Sequence, residues 1–531
     1  MRTPRIACTL LCCLALTALG KDDELPGEIL WEFSADGRVM ATAAMDEQRV
    51  YFGTSSNSAS APESTFYCLD RENGIEQWSH SFPNWLQACP VVLPTRILVG
   101  CDDTNLYCLD KMTGEELWHV NTAGRVDSTP CVDTPGNCYF GSRDRFFYAV
   151  DPEGNILWTH FLTGEIASSP ILDEREGRIY VADLANTIYA FTLTGERLWS
   201  YKPRLGGVGG VRLRIYSSPT LDDEGYLYVG SGDQHLYAID RATGLLFWRE
   251  DTGGVVDSSP VISSDDFLYV ANRQGTLFKY LIEPFVAERE IWRNEEIGQV
   301  YYGSPTIDSA NNIYICGAPV VANPEEELPQ TQLSYINKET GDILWSRLFP
   351  GYTDATPALD EEGNVYLGSA SGQFIKVHGE GNPLADTAWP TFHGEPSGHG
   401  RYDETFSHWL LKHDIPAELA SSDRDSDEDG FRDFEEYVFG TNPSDELDFP
   451  DRTLASITPN GLKPIATFQI QKGIRAPYQL QMGSTLDSWI PLTLSQDNFQ
   501  FEDLTDAWRV QVTLEQPTIS PIRFFRVFWQ R

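Results

Sequence analysis

A chain of 531 residues with 41% hydrophobic positions, among them 14 Trp, 23 Tyr and 27 Phe, holds ample material for packed cores and is excluded from the disordered class. Its length exceeds what one compact core serves, so two or more domains or one long repeat array are expected. The formal charge of −39 excludes nucleic acid and anionic lipid as ordinary partners, since no dominant cationic face offsets the repulsion, and it suits a protein kept soluble after export.

Residues 1–20, MRTPRIACTLLCCLALTALG, place Arg2 and Arg5 before an apolar run from Ile6 to Leu16 and small residues at Ala18 and Gly20. This is the layout of a secretory signal peptide cleaved after about Gly20. The run is too short to span a bilayer, which takes about 20 apolar residues. Neither Cys12 nor Cys13 follows the small residue that lipidation needs. The mature chain is therefore expected in the periplasm or outside the cell, with no transmembrane segment, 37 basic against 78 acidic residues, and seven cysteines. No C-x-x-C pair remains for zinc. Cys101 and Cys108 flank DDTNLY, and Cys131 and Cys138 flank DTPGN, so each pair could face across a hairpin as a disulfide or stay as buried thiols.

From residue 28 onward one pattern recurs: FYCLDRENGIEQW at 66–78, LYCLDKMTGEELW at 106–118, FYAVDPEGNILW at 147–158, IYAFTLTGERLW at 188–199, LYAIDRATGLLFW at 236–248 and LSYINKETGDILW at 333–345. A degenerate copy from Leu277 to Trp292 makes seven. Each copy has an upstream half, as in STPCVDTPGNCYFGS at 128, SSPILDEREGRIYVA at 168, SSPTLDDEGYLYVGS at 217 and SSPVISSDDFLYVAN at 258, with variants beginning at Ala41, Ala88, Gly303 and Ala355. Leu236, Ala238 and Asp240 alternate with Tyr237 and Ile239 as a strand requires, and the following Thr-Gly supplies a positive φ for a tight reversal into a second strand ending on Trp. The upstream half adds two more strands about a D-E-G-Y turn. Each unit is thus a four-stranded antiparallel sheet.

Trp31 to Trp389 spans 358 residues in eight steps, about 45 per step, a spacing that fits propeller blades whose Trp side chains fill the gap beside a neighbour. The last unit, from Ala355, supplies three strands, and EILWEF at 28–33 supplies its fourth, so both termini close the ring. We therefore expect an all-β chain: an eight-bladed β-propeller over residues 28–400, a short helix and connector over 401–450, and a small β-sandwich-like domain over 451–531. The S-S-P-x-x-D, Y-V-G-S and L-Y-A-L-D-x-x-T-G-x-x-x-W pattern, with the terminal WPTFHGEPSGHGR, resembles the pyrroloquinoline quinone (PQQ)-like repeat propellers, a family that includes quinoprotein dehydrogenases and the outer-membrane assembly factor BamB. The repeat specifies the fold more than the function.

For the enzymes of that family the resemblance implies PQQ held with calcium, acidic and amide ligands, a catalytic Asp and, in many, an adjacent cysteine pair. Here the one such pair is Cys12-Cys13 in the signal segment, and no catalytic residue can be matched, so PQQ is not expected. The reading is a non-catalytic, BamB-like scaffold that binds protein or glycan in the cell envelope. A PQQ-dependent dehydrogenase and a purely structural envelope protein are the alternatives.

Three insertions, 54–65, 202–216 and 318–332, fall on one face of a propeller, where loop lengthening commonly marks binding. The residues before the eight upstream halves, Met40, Gln87, Asp127, Ala167, Tyr216, Asp257, Tyr302 and Asp354, belong near the mouth of the central channel. Asp127, Asp257 and Asp354 with Tyr216 and Tyr302 suit a cationic or sugar-like ligand, whereas Arg204, Arg212 and Arg214 beside them suit an acidic peptide.

After Tyr402 the repeat stops, and SHWLLKHDIPAEL reads as a short helix leading into an acidic run. Counting from Asp425, carboxylates stand at positions 1, 3, 5 and 9 (Asp425, Asp427, Asp429, Asp433), Gly430 at 6, the Phe431 carbonyl at 7 and Glu436 at 12. That is the spacing of a calcium loop, in which alternate oxygens surround one hard cation. Residues 425–443 also resemble bacterial thrombospondin type 3-like calcium repeats, with Arg432 where an EF-hand carries an apolar residue. A single such loop implies a structural spacer occupied by Ca2+. From about Asp451, IATFQIQ, YQLQMG, WIPLTL, WRVQVTL and RFFRVFW alternate as strands without His or Cys.

Five carboxylates gathered without a cation repel one another, whereas bound calcium adds stability that grows with the logarithm of its concentration. Chelation is therefore expected to raise protease cleavage between about Ser421 and Asp448 while sparing a fragment ending near Tyr402. Limited proteolysis with mass spectrometry checks this, with Asp429→Ala as control. Equal cleavage with and without chelator in both proteins contradicts it.

Overall fold

The computed structural model describes residues 25–402, apart from 57–61, 204–212, 284–285, 287, 320–328 and 388, and the backbone of seven strands between Ser456 and Trp529. The signal segment, the expected helix after Tyr402 and the acidic run lie outside the described residues. Eight antiparallel four-stranded sheets form the propeller. In the last blade Ile29–Ser34 pairs antiparallel with Gln373–Val377, setting Phe33 opposite Phe374, so the first strand of the chain closes the ring as expected.

Blade 5 shows why the repeat folds as it does. Its strands are Thr220–Leu221, Tyr226–Gly230, His235–Asp240 and Leu246–Asp251, from the axis outward. In the first turn Asp222 accepts hydrogen bonds from the Gly225 and Tyr226 N–H groups and from the Tyr228 hydroxyl. In the outer turn the Asp240 carboxylate accepts from the Ala242 and Thr243 N–H groups and from the Thr243 hydroxyl, leaving Gly244 to reverse the chain at φ +73°. The D-x-x-T-G signature is thus a side-chain-capped turn.

The same glycine makes the contact between blades. A Cβ on Gly244 would lie 2.6 Å from the Trp199 ring of blade 4, and the Trp199 Nε1–H donates to the Arg241 carbonyl at 3.0 Å. Trp31, Trp78, Trp118, Trp158 and Trp292 repeat the arrangement on Gly74, Gly114, Gly154, Gly195 and Gly341. Two blades lack the turn glycine at this contact and substitute for it. The Arg289 guanidinium sits 4.3 Å from the Trp248 ring, and the Trp345 indole donates to the Glu380 carboxylate at 2.6 Å.

Trp389 departs from expectation, because it belongs to no blade. It is 1% exposed and belongs to the hydrophobic cluster that holds Tyr180, Leu221 and Tyr402. The inner strand of each blade has no neighbour on its axial side, so its outward N–H groups need acceptors. Residues 383–402 provide them by crossing one end of the axis. Met45, Val92, Val132, Leu172, Ile262 and Ile307 donate to the carbonyls of Pro396, Ser397, His399, Gly400, Trp389 and Pro390 at 2.8–3.0 Å. Arg401–Tyr402 then joins Ile171–Asp173 as a parallel fifth strand of blade 4.

Of the two alternatives for the hairpin cysteines the structure shows buried thiols, and all seven cysteines of the described propeller are free and buried. Strand alternation gives the reason. Cys101 and Cys131 face different hydrophobic clusters from Cys108 and Cys138, on the opposite side of their sheets. Burial raises every one of these thiols, Cys89 to about 12, so none is poised as a nucleophile.

Beyond the propeller, two antiparallel sheets carry the C-terminal strands. One orders Ser456–Asn460, Lys463–Gln471, Ala507–Thr513 and Phe499–Asp503; the other orders Ser488–Pro491, Tyr478–Thr485 and Phe524–Trp529.

Gly177 also has a positive φ, +62°, but open space where a Cβ would stand. Gly177→Ala is therefore expected to cost about 1 kcal/mol of backbone strain, and Gly244→Ala about 2 kcal/mol more through its clash with Trp199. Chemical denaturation of the two variants checks the difference. Equal losses contradict the indole-glycine contact as a source of stability.

Candidate functional site

The tail covers one end of the axis; at the other end the chain enters each inner strand. There Met40, Gln87, Asp127, Ala167, Tyr216, Asp257, Tyr302 and Asp354 all line a single cavity of about 220 Å³. The three insertions leave the blades at this same end, from the exits of second or outer strands.

The frame of the cavity is a ring of hydrogen bonds. Two residues into each upstream half stands Thr42, Cys89, Thr129, Ser169, Ser218, Ser259, Ser304 or Thr356. The N–H of Thr129 donates to Ser169 Oγ, Ser169 to Ser218, Ser218 to Ser259, Ser259 to Ser304 and Ser304 to Thr356, each at 2.9–3.0 Å. Thr356 N–H reaches Thr42 Oγ1 at 2.9 Å across the closing seam, and Cys89 N–H reaches Thr129 Oγ1 at 3.0 Å. The first serine of the motif has a separate task. Ser128, Ser168 and Ser217 accept the N–H of Gly141, Ala182 and Gly230, tying the entry to the second strand of the same blade. Pro at the next position in seven blades holds φ fixed where the chain turns down the axis.

The walls are more nearly neutral than three bare carboxylates would make them. Arg143 Nε lies 3.0 and 2.9 Å from the two Asp127 oxygens, and its Nη2 donates to Oδ2 at 2.6 Å. Arg273 Nε stands 2.5 Å from Asp257 Oδ2. Tyr216 and Tyr302 meet edge to face with centroids 5.4 Å apart. The Arg143 guanidinium lies 5.7 Å from the Tyr216 ring and that of Arg273 5.5 Å from the Tyr302 ring. A strap therefore runs Asp127, Arg143, Tyr216, Tyr302, Arg273, Asp257 across the mouth, from blade 3 to blade 6. Arg214 extends it, donating to the Tyr216 hydroxyl at 3.1 Å, whereas Arg204 and Arg212 lie outside the described residues.

Asp354 has no such partner. Its Oδ1 is buried without a hydrogen-bond donor, and burial raises the carboxyl to about 6 despite the nearby Arg273 charge. Asp257 is likewise raised to about 6 by burial, against the pull of Arg273. Asp102, raised by burial, accepts from Gln87 at 2.8 Å and pairs with Arg125 at 3.3 Å on the same rim. The motif spacing gives no notice of Arg143 and Arg273. Both stand two residues past the Gly or Ala that ends a second strand, in YFGSR and YVANR, and it is this shared exit that brings them to the rim. The calcium-loop residues Asp425, Asp427, Asp429, Phe431, Asp433 and Glu436 lie outside the described residues.

A buried carboxyl held at about 6 is protonated in the folded state at pH values where the unfolded chain, near 3.8, has released its proton. Ionisation of Asp354 therefore costs stability as pH rises from about 4 to 6. Asp354→Asn is expected to raise stability at pH 7.5 by on the order of 1 kcal/mol and to leave it nearly unchanged at pH 4. Thermal melts at the two pH values check this. A loss at pH 7.5 contradicts it.

Residues 102–315 match the family model described as outer membrane protein assembly factor BamB. Among curated proteins, the chain is 24% identical over 238 residues to Protein GAMETE EXPRESSED 3 of Arabidopsis thaliana, covering 41% of this chain and 35% of that one. It is 28% identical over 102 residues to the quinohemoprotein alcohol dehydrogenase of Comamonas testosteroni, 18% of this chain and 14% of that one. It is 28% identical over 103 residues to BamB of Burkholderia pseudomallei (strain K96243), 19% of this chain and 26% of that one. These matches thus span about a third or less of each relative's length. The crystal structure of BamB from Moraxella catarrhalis superposes with a TM-score of 0.51 at 16% identity, over 66% of this chain and 98% of that one. The chain is therefore an eight-bladed propeller, similar in part both to BamB and to a quinohemoprotein alcohol dehydrogenase.

Proposed function

We propose that this protein is an exported, non-catalytic propeller scaffold that captures a protein or glycan of the cell envelope at the mouth of its axial channel. The observation that carries the reading is the convergence of all eight blade-entry residues on one open cavity, while the tail covers the opposite end of the axis. At about 220 Å³ the cavity is smaller than the roughly 300–1,000 Å³ pockets that enclose small-molecule ligands. It suits one side chain or sugar unit inserted from a larger partner docked on the insertion loops. The match to an outer membrane protein assembly factor favours a protein partner. In this reading Asp425, Asp427, Asp429, Phe431, Asp433 and Glu436 hold Ca2+ in the connector toward the C-terminal sheets.

The second reading, a PQQ-dependent dehydrogenase, draws on the 102-residue likeness to a quinohemoprotein enzyme. The residues at the mouth do not fit that group. Two of the three carboxylates are taken by Arg143 and Arg273, Tyr216 and Tyr302 meet edge to face, and Cys89 stands without an adjacent cysteine.

With PQQ and calcium supplied, no dye-linked oxidation of alcohols or sugars above background is expected. Turnover contradicts the non-catalytic assignment. Replacing Arg204, Arg212 and Arg214 together by Ala is expected to weaken capture of envelope partners by the immobilised chain severalfold without changing the melting temperature. Unchanged capture places the binding face elsewhere.

A further inference from the structure

We propose that the axial cavity is a primary-ammonium site, in which Asp354 takes the amine of a lysine side chain or of an amino sugar presented by the captured ligand. This rests on the reading of the mouth as the capture face. Of the three carboxylates around the cavity, Asp127 is held by Arg143 and Asp257 by Arg273, whereas Asp354 faces the same space with Oδ1 buried and no donor upon it. Asp354 is therefore the one carboxylate lining the cavity that has no hydrogen-bond donor or ion-pair partner of its own. A buried carboxylate charge without a partner is costly, and a ligand cation brought beside its other oxygen offsets that charge at the moment of binding.

The geometry selects among cations. A guanidinium binds a carboxylate best through two parallel bonds, which require both oxygens to be open, and here Oδ1 is buried. An ammonium is a compact charge that needs one oxygen from Asp354 and can spend its remaining donors on hydroxyls. Ser259, Thr356 and Tyr302 line the same cavity and supply them. A hard divalent ion would need about six oxygens, and among the described residues no group of three His, Cys, Asp or Glu is placed to hold a metal. The proposal also carries a pH signature. Affinity should be full where Asp354 is ionised, above about 6, and should fall as it protonates below that.

Calorimetric titration of the full chain with N-acetyl-lysine methylamide and with glucosamine tests the site, using N-acetyl-norleucine methylamide and N-acetylglucosamine as uncharged controls. The expected result is binding of at least one amine at pH 7.5, at least tenfold weaker at pH 4.5 and in Asp354→Asn. Binding of the lysine compound alone assigns a peptide source, binding of glucosamine alone a glycan, and binding of both the shared ammonium. Asp354→Glu, which keeps the charge, should retain more affinity than Asp354→Asn, so a general folding defect is separated from loss of the carboxylate. Amine binding unaltered in Asp354→Asn, equal binding of the uncharged controls, or no binding of either amine overturns the proposal. If neither amine binds while the triple Arg variant still loses partner capture, the capture face stands and the ammonium site alone is refuted.

Discussion

Seven backbone N–H groups, each given to a hydroxyl one blade further round, fix the radius of the axis. Each bond joins two blades that share no ladder, and all the accepting serines and threonines except the half-buried Thr42 are buried, so a missing acceptor there would leave an amide with neither water nor protein, at about 1–3 kcal/mol. The gap in the ring is informative. Cys89 donates onward to Thr129, but its thiol turns to the Pro90 carbonyl, so the eighth link, between blades 1 and 2, lacks an oxygen acceptor. That seam is held instead at the periphery, where the Trp78 indole of blade 1 lies over Gly114 of blade 2 and donates to the Lys111 carbonyl. Axis and rim are thus two independent ties between the same neighbours.

With the axis fixed, its two ends take different roles. At one end the inner strands expose N–H groups, and the tail satisfies them with successive carbonyls; Tyr402 then anchors it against Asp223 and beneath Arg241. At the other end the chain enters the strands, and the residue just above the ring in each blade is free to vary because it carries no structural bond of the repeat. Binding chemistry collects there for that reason. The aspartate, arginine and tyrosine strap narrows the opening, and Asp354 is left as the charge not absorbed by it.

Much of this was legible in the sequence because it is periodic. The alternation in LYAID, the capped D-x-x-T-G turn and the Trp spacing fix the blades, and the leftover EILWEF identifies the closing strand. The position before each S-S-P run points to the eight cavity residues, since one structural repeat places them all at one height. What the pattern could not give was what happens between repeats. Trp389 keeps the spacing but belongs to the tail, because a residue count cannot tell a blade from a segment lying across the axis. Arg143 and Arg273 neutralise Asp127 and Asp257 from neighbouring strand exits, a pairing that depends on rim geometry. Cysteines seven apart in a hairpin look bridgeable until the two sides of the sheet are assigned.

The account makes the hydrogen-bonded ring the cooperative centre of the propeller, and native-state hydrogen exchange tests it most directly. The amides of Cys89, Thr129, Ser169, Ser218, Ser259, Ser304 and Thr356 should exchange together, at the slowest rate in the chain and with the denaturant dependence of global unfolding, while outer-strand amides such as those of Leu246–Asp251 exchange through smaller openings. Ring amides that exchange faster than the outer strands, or each at its own rate, would contradict it.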